Sequence, residues 1–259
     1  METELVFDVQ NISFAYDGRQ TALDQVSMQV RAGECLVVVG ANGCGKSTLL
    51  KLLDGLYFPT AGRILAFGDP LTEAALREDG FNFRFRRRVG LVFQDSDVQL
   101  FSPSVLDEVA FAPLQLGLGR EQVLQRVEAA LQALRIDKLR DRAPHHLSGG
   151  EKRRVALASV LSLSPDVWLL DEPTSGLDPR SQGWLVEFIL GQRQAGKTIV
   201  AATHDLSLAE QIATRLLVFD EDHRIAASGN PAEILHDHEL LHRCNLSHYH
   251  IDHSPSLRR

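Results

Sequence analysis

The sequence predicts an α/β fold in which helices cover both faces of a parallel β-sheet. Between residues 150 and 220, short apolar runs alternate with segments of helical periodicity, the pattern of strand–helix–strand units. A further apolar run, 35–40, leads through a glycine-rich turn into a helix predicted over 46–54. The apolar runs are 167–170, 198–203 and 215–220, and the helical segments are 149–163, 180–193 and 206–213.

The remaining elements follow from the same patterns. Residues 5–16 alternate loosely and predict edge β-structure, and strand-like runs flank a polar insertion within 62–93. Apolar residues then recur at helical spacing, with an interruption at Pro113. The middle third of the chain, about 95–163, is therefore predicted to be a mostly helical lobe, and the last thirty residues are polar and rich in histidine.

Composition and charge exclude several classes of protein. The 259 residues are 44% hydrophobic and 24% charged, as in ordinary globular chains, and the net charge is -7. The acidic total argues against a general nucleic-acid binder. Three cysteines are too few for a disulfide framework and fit a reducing compartment. The sequence has no apolar run of roughly 18 residues and no signal-peptide core, so we expect any work at a membrane to need partners.

A phosphate-binding loop is the strongest signal. Residues 40–47 match G-x-x-x-x-G-K-[ST] between a strand and a helix, the context that such a loop requires. Its glycines let backbone amides surround phosphate oxygens, and the helix N-terminus adds a positive dipole. We expect Lys46 to reach the β- and γ-phosphates and Ser47 to ligate Mg²⁺. The predicted nucleotide-binding residues are Gly40, Ala41, Asn42, Gly43, Cys44, Gly45, Lys46, Ser47 and Thr48.

Two acidic residues follow a buried strand. The run 167–170 delivers Asp171 and Glu172 to the carboxyl end of its strand, where α/β sheets bind ligands. The first carboxylate can hold Mg²⁺, directly or through water, and the second can orient or deprotonate an attacking water. Without another motif in the chain, two acidic residues at this position would most often lie at a solvated strand end and have no catalytic role. The phosphate loop earlier in the chain favours the functional interpretation.

A second predicted helix has an N-terminus that is suited to binding an anion. Ser148 and Glu151 have the spacing of a capping box, which starts a helix there. Gly149 and Gly150 leave its amides open. A plain helix cap explains the same residues. Because the segment carries no metal-binding or catalytic group, its functional interpretation is a second phosphate clamp.

These motifs, in this order, resemble those of the ATP-binding-cassette (ABC) ATPases. The resemblance covers about residues 4–235. It implies a P-loop NTPase core with an antiparallel β subdomain and an α-helical subdomain inserted at about 95–163, and it leaves 236–259 as a histidine-rich tail. The motifs are the Walker A loop 40–47, Gln94, LSGGE at 147–151, Walker B at 167–172, the turn 175–178 and His204.

The resemblance also implies a role for single residues. Tyr16 resembles the aromatic residue that stacks on adenine. Gln94 would contact Mg²⁺ and sense the γ-phosphate, and His204 would contact the γ-phosphate. Glu172 would be the catalytic base for attack of water on the γ-phosphate of ATP, with Mg²⁺ as cofactor.

A head-to-tail dimer is implied by the same resemblance. In such a dimer, Ser148 and Gly150, with Gly149 and Glu151 beside them, clamp the γ-phosphate that the other subunit's Walker A loop holds. Asp178 would bridge the two sites. Because all motifs are intact, a homodimer is the simpler expectation, and a heterodimer with a related ATPase stays open.

Two positions depart from the family pattern. Cys44 stands where serine is frequent, and Glu151 stands where glutamine is frequent. Neither removes a backbone contact or the phosphate-binding lysine. A thiol beside phosphate-binding amides is expected to be sensitive to oxidation, which predicts that oxidants slow turnover.

The segment 95–117 resembles that of the energy-coupling-factor (ECF) importers, particularly the cobalt/nickel type. In that family this stretch carries an extra short helix and borders the groove that receives the coupling helices of a transmembrane partner. Val98, Leu100 and Phe101 offer apolar surface for that role. Packing within the helical lobe would explain the same residues.

The histidine-rich end is a second indication of subtype. Imidazoles with Cys244 and Asp252 nearby suit Ni²⁺, Co²⁺ or Zn²⁺. No segment has the spacing of a closed zinc site, and a polar tail explains the same residues. A site here would buffer or sense metal rather than transport it. The histidines of this end are His236, His238, His242, His248, His250 and His253.

The two resemblances together predict the ATP-hydrolysing subunit of an ECF-type importer for cobalt or nickel. It would lie at the cytoplasmic face of the cell membrane, bound to a transmembrane coupling subunit and a substrate-capture subunit. A soluble ABC ATPase of an assembly system, such as an iron–sulfur type, and a conventional importer ATPase for another solute stay open. The alternating phenylalanines and arginines of 81–88 are interpreted as a structural or docking segment, with no nucleic-acid partner.

Overall fold

The computed structural model describes residues 4–246. The strands are β1 (Leu5–Tyr16), β2 (Gln20–Arg31), β3 (Cys35–Val39), β4 (Ala61–Ala66), β5 (Asp69–Pro70), β6 (Val89–Val92), β7 (Val167–Asp171), β8 (Thr198–Thr203), β9 (Arg215–Phe219) and β10 (Ile225–Gly229). The helices are α1 (Lys46–Leu53), α2 (Glu73–Arg77), α3 (Asp79–Arg88), α4 (Ser96–Gln99), α5 (Val105–Gln115), α6 (Arg120–Ala133), α7 (Gly149–Leu161), α8 (Pro179–Gln194), α9 (Leu206–Ile212), α10 (Pro231–His236) and α11 (His238–Arg243), with 3₁₀ turns at Asp137–Leu139 and Pro144–His146.

The larger sheet confirms the predicted parallel arrangement. Its strand order is β10–β9–β3–β8–β7–β6, and only the edge strand β10 runs antiparallel to its neighbour within this described sheet. Along β3, Leu36 and Val38 pack into one hydrophobic core, whereas Val37 and Val39 pack into the other. Because both faces of the strand are buried, its sequence is continuously apolar instead of alternating.

The smaller sheet is antiparallel, with the order β2–β1–β4–β5. Along β2, Val26, Met28 and Val30 are buried while Ser27 and Gln29 are exposed, so one face covers the core and the other meets solvent. This sheet confirms the antiparallel β subdomain of the predicted fold. The pairing of β1 with β4 brings the residues before the phosphate loop together with those after α1.

The helical subdomain consists of α5, α6 and α7, which pack on one another around valines such as Val109 and Val127. Ser104 begins α5 by accepting a hydrogen bond from the Asp107 amide at 3.1 Å. The interruption predicted at Pro113 falls inside α5, which ends only at Gln115. The short extra helix expected after Gln94 is present as α4.

The packed chain continues past residue 235, where the sequence analysis ended the domain. Leu240, Leu241 and Cys244 are buried, because α11 folds back on α10 and the adjoining core. His248, His250, His253 and Asp252 lie outside the described residues. Within 4–246, no group of three or more His, Cys, Asp or Glu residues is arranged to hold a metal ion. In that same range, no helix combines the length and apolarity needed to cross a bilayer.

Candidate active site

The carboxyl ends of three neighbouring parallel strands form one edge of the larger sheet. There β3 leads into the loop that begins at Gly40, β7 ends at Asp171, and β8 ends at Thr203, directly before His204. Because parallel strands share their direction, these loops meet at the edge where α/β sheets bind ligands. The phosphate loop and the acidic pair, which are far apart in the sequence, therefore lie together.

The loop between β3 and α1 wraps tightly. Gly43 and Gly45 have φ angles of +85° and +110°, in the left-handed region that favours glycine. A Cβ atom at Gly45 would lie 2.1 Å from the carbonyl oxygen of Ala22, so a larger residue would clash with the β2 backbone. At Gly40 a Cβ atom would lie 2.5 Å from the Cys44 sulfur. Glycine is thus required at both ends of this loop by close approach.

Lys46 lies at the start of α1 with its ammonium group inside the loop. Its Nζ atom donates to the carbonyl oxygens of Gly40 at 2.7 Å and Ala41 at 2.9 Å. The same atom lies 3.7 Å from Oε1 of Glu172, and both side chains are buried. This ammonium group is therefore held between the loop and the carboxylate that follows β7, where a phosphate would meet both.

Ser47 and Asp171 form an oxygen-rich pair. The Ser47 hydroxyl donates to Oδ1 of Asp171 at 2.8 Å. Burial raises the pKa of this carboxyl, and the bond from Ser47 opposes that shift. A hydroxyl beside a carboxylate offers the hard oxygen ligands that Mg²⁺ prefers. The residues present therefore fit the predicted cation.

Two residues hold the side chain of Glu172, which directly follows β7. They are Thr203, the last residue of β8, and His204, the residue after it. Its Oε2 atom accepts from the Thr203 hydroxyl at 3.1 Å and lies 3.0 Å from Nδ1 of His204. The backbone of Glu172 has a φ of +41°, in the left-handed region that an L-residue adopts only at a cost. The carboxylate is thus buried and oriented, with Oε1 turned toward Lys46.

An open cleft of about 430 Å³ is lined by Lys46, Ser47 and Glu172. Tyr16 stands at its β1 side, where its hydroxyl lies 3.0 Å from the Thr48 hydroxyl and its ring packs edge-on against Phe14 and Tyr57. The predicted residues that line the cleft are Tyr16, Asn42, Gly43, Gly45, Lys46, Ser47, Thr48, Gln94 and Glu172. Gln20, Thr21, Ala22 and His223 also line it, and no motif in the sequence had pointed to them.

The predicted second phosphate clamp does not line this cleft. The capping box expected at Ser148 is present, since the Ser148 hydroxyl accepts from the Glu151 amide and Glu151 accepts from the Ser148 amide at 2.8 Å. Asp178 likewise begins α8, accepting from the amides of Arg180 and Ser181. The structure places both segments at helix starts apart from the cleft.

The expectation for Cys44 is not supported. Its side chain is almost fully buried, and burial raises the pKa of the thiol although Lys46 opposes the shift. Oxidation requires an accessible thiol with thiolate character. The neighbouring loop amides do not offset the effect of burial on the pKa of the thiol. The structure therefore offers no reason for oxidants to act at Cys44.

Arg153 is a buried residue of the site that sequence reasoning missed. Its guanidinium donates to backbone carbonyls at the ends of β6 and β7, with distances of 3.1 to 3.3 Å to four of the five. The available signal was periodicity, because Arg153 lies on the face of α7 that also buries Ala156, Leu157 and Val160. Its acceptors are the carbonyl oxygens of Phe93, Gln94, Asp171, Glu172 and Pro173.

A second concave surface, the apolar groove, lies between α3, β6, α4 and α5 and measures about 470 Å³. Val98 is 72% exposed and Phe101 is 67% exposed, and both line it. Leu100, expected to share this surface, instead packs partly buried against the core. The buried carboxylate of Glu108 accepts from the amides of Phe101 at 3.0 Å and Ser102 at 2.8 Å, which fixes this loop on α5.

A buried carboxyl at the wall of the apolar groove predicts a pH dependence of stability. Burial raises the pKa of Asp54 from 3.8 to about 6, although Arg86 donates to its Oδ2 atom at 3.0 Å. The folded chain therefore holds this proton more tightly than the unfolded chain, so the free energy of unfolding contributed by Asp54 falls as the pH rises from about 4 to about 6.

The variant Asp54→Asn removes this titration and keeps an acceptor for Arg86. We expect the variant to lose less stability than the wild type between about pH 4 and about pH 7. The measurement is urea unfolding of both proteins at each pH. Equal losses in the two proteins would show that Asp54 does not titrate in this window.

Comparison with known proteins agrees with this geometry. A family model described as ABC transporter matches residues 23–175. The nickel import ATP-binding protein NikO of Rhodobacter capsulatus is 49% identical over 243 residues, covering 93% of this chain and 95% of NikO. The energy-coupling factor transporter ATP-binding protein EcfA of Methanothermobacter thermautotrophicus is 39% identical over 241 residues, covering 93% of this chain and 76% of that protein.

A solved structure extends the likeness to the fold. The structure of cbiO1 from Clostridium perfringens, described as part of the ABC transporter complex cbiONQ, superposes with a TM-score of 0.79 at 34% identity. The match covers 94% of this chain and 95% of that one. The motifs, the fold and these relatives agree along nearly the whole length, and the chain belongs to the ABC transporter ATP-binding family, whose members hydrolyse ATP to power transport.

Proposed function

We propose that this chain is the ATP-hydrolysing subunit of an ECF-type importer, bound peripherally to a membrane complex that carries nickel or cobalt ions. The observation that carries the proposal is the apolar groove, with Val98 and Phe101 exposed on it, beside the loop that holds Gln94. The names of NikO, EcfA and cbiO1 support the same assignment.

The residues of the cleft can divide the hydrolysis of ATP among them. Lys46 and the loop amides bind the phosphates, while Ser47, Asp171 and Gln94 would hold Mg²⁺, which would supply neutralisation of phosphate charge. Glu172 orients the attacking water and accepts its proton. Thr203 and His204 both engage Oε2, which leaves Oε1, 3.7 Å from Nζ of Lys46, to accept this proton.

The position of the predicted phosphate clamp supports a dimer with shared sites. Ser148 and Gly150 do not line the cleft that contains Lys46 and Glu172. They can therefore meet a γ-phosphate only if another copy, or a related ATPase, presents it. Asp178 would then lie between the two sites. In this proposal ATP binding closes the dimer and hydrolysis opens it.

Hydrogen bonds connect the cleft with the apolar groove. Gln99 on α4 accepts from the Phe93 amide at 3.1 Å and donates to the Ala156 carbonyl of α7 at 3.0 Å. Gln94, which directly follows Phe93 in the sequence, lines the cleft, and Phe101 lies two residues after Gln99. A movement of Gln94 during closure would thus be passed to the exposed aromatic residue and to a coupling helix seated against it.

The exposed aromatic residue provides a test of this coupling. The variant Phe101→Ser removes apolar surface from the groove without creating a core cavity, since the side chain is mostly exposed. We expect basal ATP hydrolysis by the isolated chain to change less than about twofold, while binding to the membrane partner weakens roughly tenfold or more, as for an aromatic hot spot. Hydrolysis and co-purification with the membrane complex measure the two effects.

A matched control is Leu114→Ser, which changes an exposed apolar residue of α5 that does not line the groove. This variant is expected to bind the partner as the wild type does. Equal co-purification of the Phe101 variant and the wild type would contradict the coupling role.

Metal uptake tests the proposed substrate. In the source cell, deletion of this chain is expected to abolish concentrative uptake of radiolabelled Ni²⁺ or Co²⁺, and the wild type but not Glu172→Gln is expected to restore it. Uptake of both ions at the wild-type rate in the deletion strain would contradict the metal assignment. A conventional importer for another solute, or a soluble ABC ATPase of an iron–sulfur assembly system, would then be the better description.

A further inference from the structure

His223 lies on the wall of the nucleotide cleft, although it belongs to none of the motifs. It sits in the turn between β9 and β10 and lines the cleft together with Gln20, Thr21 and Asn42. Its φ of +64° is in the left-handed region, which L-residues adopt at a cost and in which glycine, asparagine, aspartate and histidine are enriched. The turn thus carries an imidazole at a position whose backbone glycine would adopt without that cost.

The imidazole of His223 lacks a partner in the protein. Its Nδ1 atom is buried without a hydrogen bond, and no hydrogen bond of the ring joins it to another group in residues 4–246. A buried polar atom left unpaired is destabilising. No bond to the protein holds the ring in one orientation, so a half-turn about χ2 would exchange the positions of Nδ1 and a ring carbon without breaking a hydrogen bond.

The backbone that carries the ring is held firmly. The His223 carbonyl accepts from the Asp24 amide at 3.1 Å, and the Arg224 guanidinium pairs with the Asp24 carboxylate at 2.5 to 2.8 Å. The turn is closed by the Asp220 amide, which donates to the Arg224 carbonyl at 3.0 Å. The strained residue is therefore fixed against β2, with its ring presented at the cleft.

We propose that His223 is a nucleotide-binding residue, whose imidazole forms a hydrogen bond with an oxygen atom of the bound nucleotide. The proposal rests on the assignment of this cleft to ATP. It adds to the family motifs a contact from the β9–β10 turn. A ligand in the cleft would supply the partner that the protein does not, and that gain offsets the strain of the turn.

The test is calorimetric titration of the purified chain with ADP and with a nonhydrolysable ATP analogue, using the wild type and His223→Gly. Glycine removes the ring and tolerates the positive φ. We expect the Kd to rise roughly 3- to 10-fold, the effect of one hydrogen bond. A rise with both nucleotides places the contact on the shared part, and a rise with the analogue alone places it on the γ-phosphate. Arg135→Gly is the control, because Arg135 also has a positive φ but lies outside the cleft.

The unfolding temperature of the nucleotide-free variants separates a ligand contact from a structural role. We expect it to be unchanged or higher in His223→Gly. Wild-type affinity in this variant would overturn the inference and leave the proposed function intact. A fall in both affinity and unfolding temperature would assign His223 to the turn and also overturn it. A wild type that binds neither nucleotide would overturn the assignment of the cleft itself.

Discussion

Glu172→Gln is expected to bind ATP with nearly wild-type affinity and to hydrolyse it about 10²- to 10⁴-fold more slowly. The amide keeps the size of the side chain and an oxygen atom that accepts from Thr203. It cannot accept a proton from the attacking water. Because the nucleotide is then bound but not consumed, the closed dimer is expected to accumulate in the presence of Mg²⁺ and ATP.

Three measurements on one preparation separate these effects. Phosphate release reports turnover, calorimetry reports affinity, and size-exclusion chromatography with ATP reports the dimer. Glu210→Gln makes the same chemical change on an exposed face of α9 and is expected to behave as the wild type. Turnover of Glu172→Gln at the rate of this control would refute the assignment of the base.

Arg153→Met is expected to lower the free energy of unfolding by about 3–5 kcal/mol. Burial lowers the pKa of the guanidinium to about 10, so it remains charged at neutral pH. Methionine fills a similar volume but leaves five backbone carbonyls in a buried region without their donor. Three of them belong to Gln94, Asp171 and Glu172, so nucleotide hydrolysis is expected to fall together with stability.

The neighbouring residue offers a matched control. Arg154 is partly exposed and packs over the ring of Trp184 at 4.5 Å. Its replacement by methionine removes a cation–π contact worth about 0.5–1 kcal/mol at an exposed site. Urea unfolding of the two variants makes the comparison. Equal decreases in the free energy of unfolding of the two variants would mean that the buried hydrogen bonds of Arg153 contribute little to stability.

The sequence predicted those parts of the fold and site that depend on local patterns. The strands of the larger sheet are continuous apolar runs, so β3, β7 and β8 could be placed before the structure was considered. The phosphate loop and Ser148 could be placed because glycines and capping residues act over a few positions. The fold class and the family are confirmed, and the roles assigned to single residues remain predictions.

The features that could not be predicted from the sequence depend on contacts between segments that are distant in the chain. Arg153 was not singled out, because its acceptors lie at the ends of strands elsewhere in the chain. Cys44 was expected to be reactive from its neighbours in sequence, whereas its burial is set by the tertiary fold around it. Leu100 and Phe101 are adjacent, yet one packs inward and the other outward because Glu108 fixes their loop. His223 reaches the cleft because its turn between β9 and β10 is held against Asp24 of β2.

The most direct test of the central claim is purification of the tagged chain from mildly solubilised native membranes, followed by mass spectrometry of the proteins that accompany it. We expect to recover a small hydrophobic coupling protein and a substrate-capturing membrane protein, both in smaller amounts when the tagged chain carries Phe101→Ser. Recovery of soluble partners only, with the chain absent from the membrane fraction, would contradict the importer assignment and indicate an ATP-driven assembly factor.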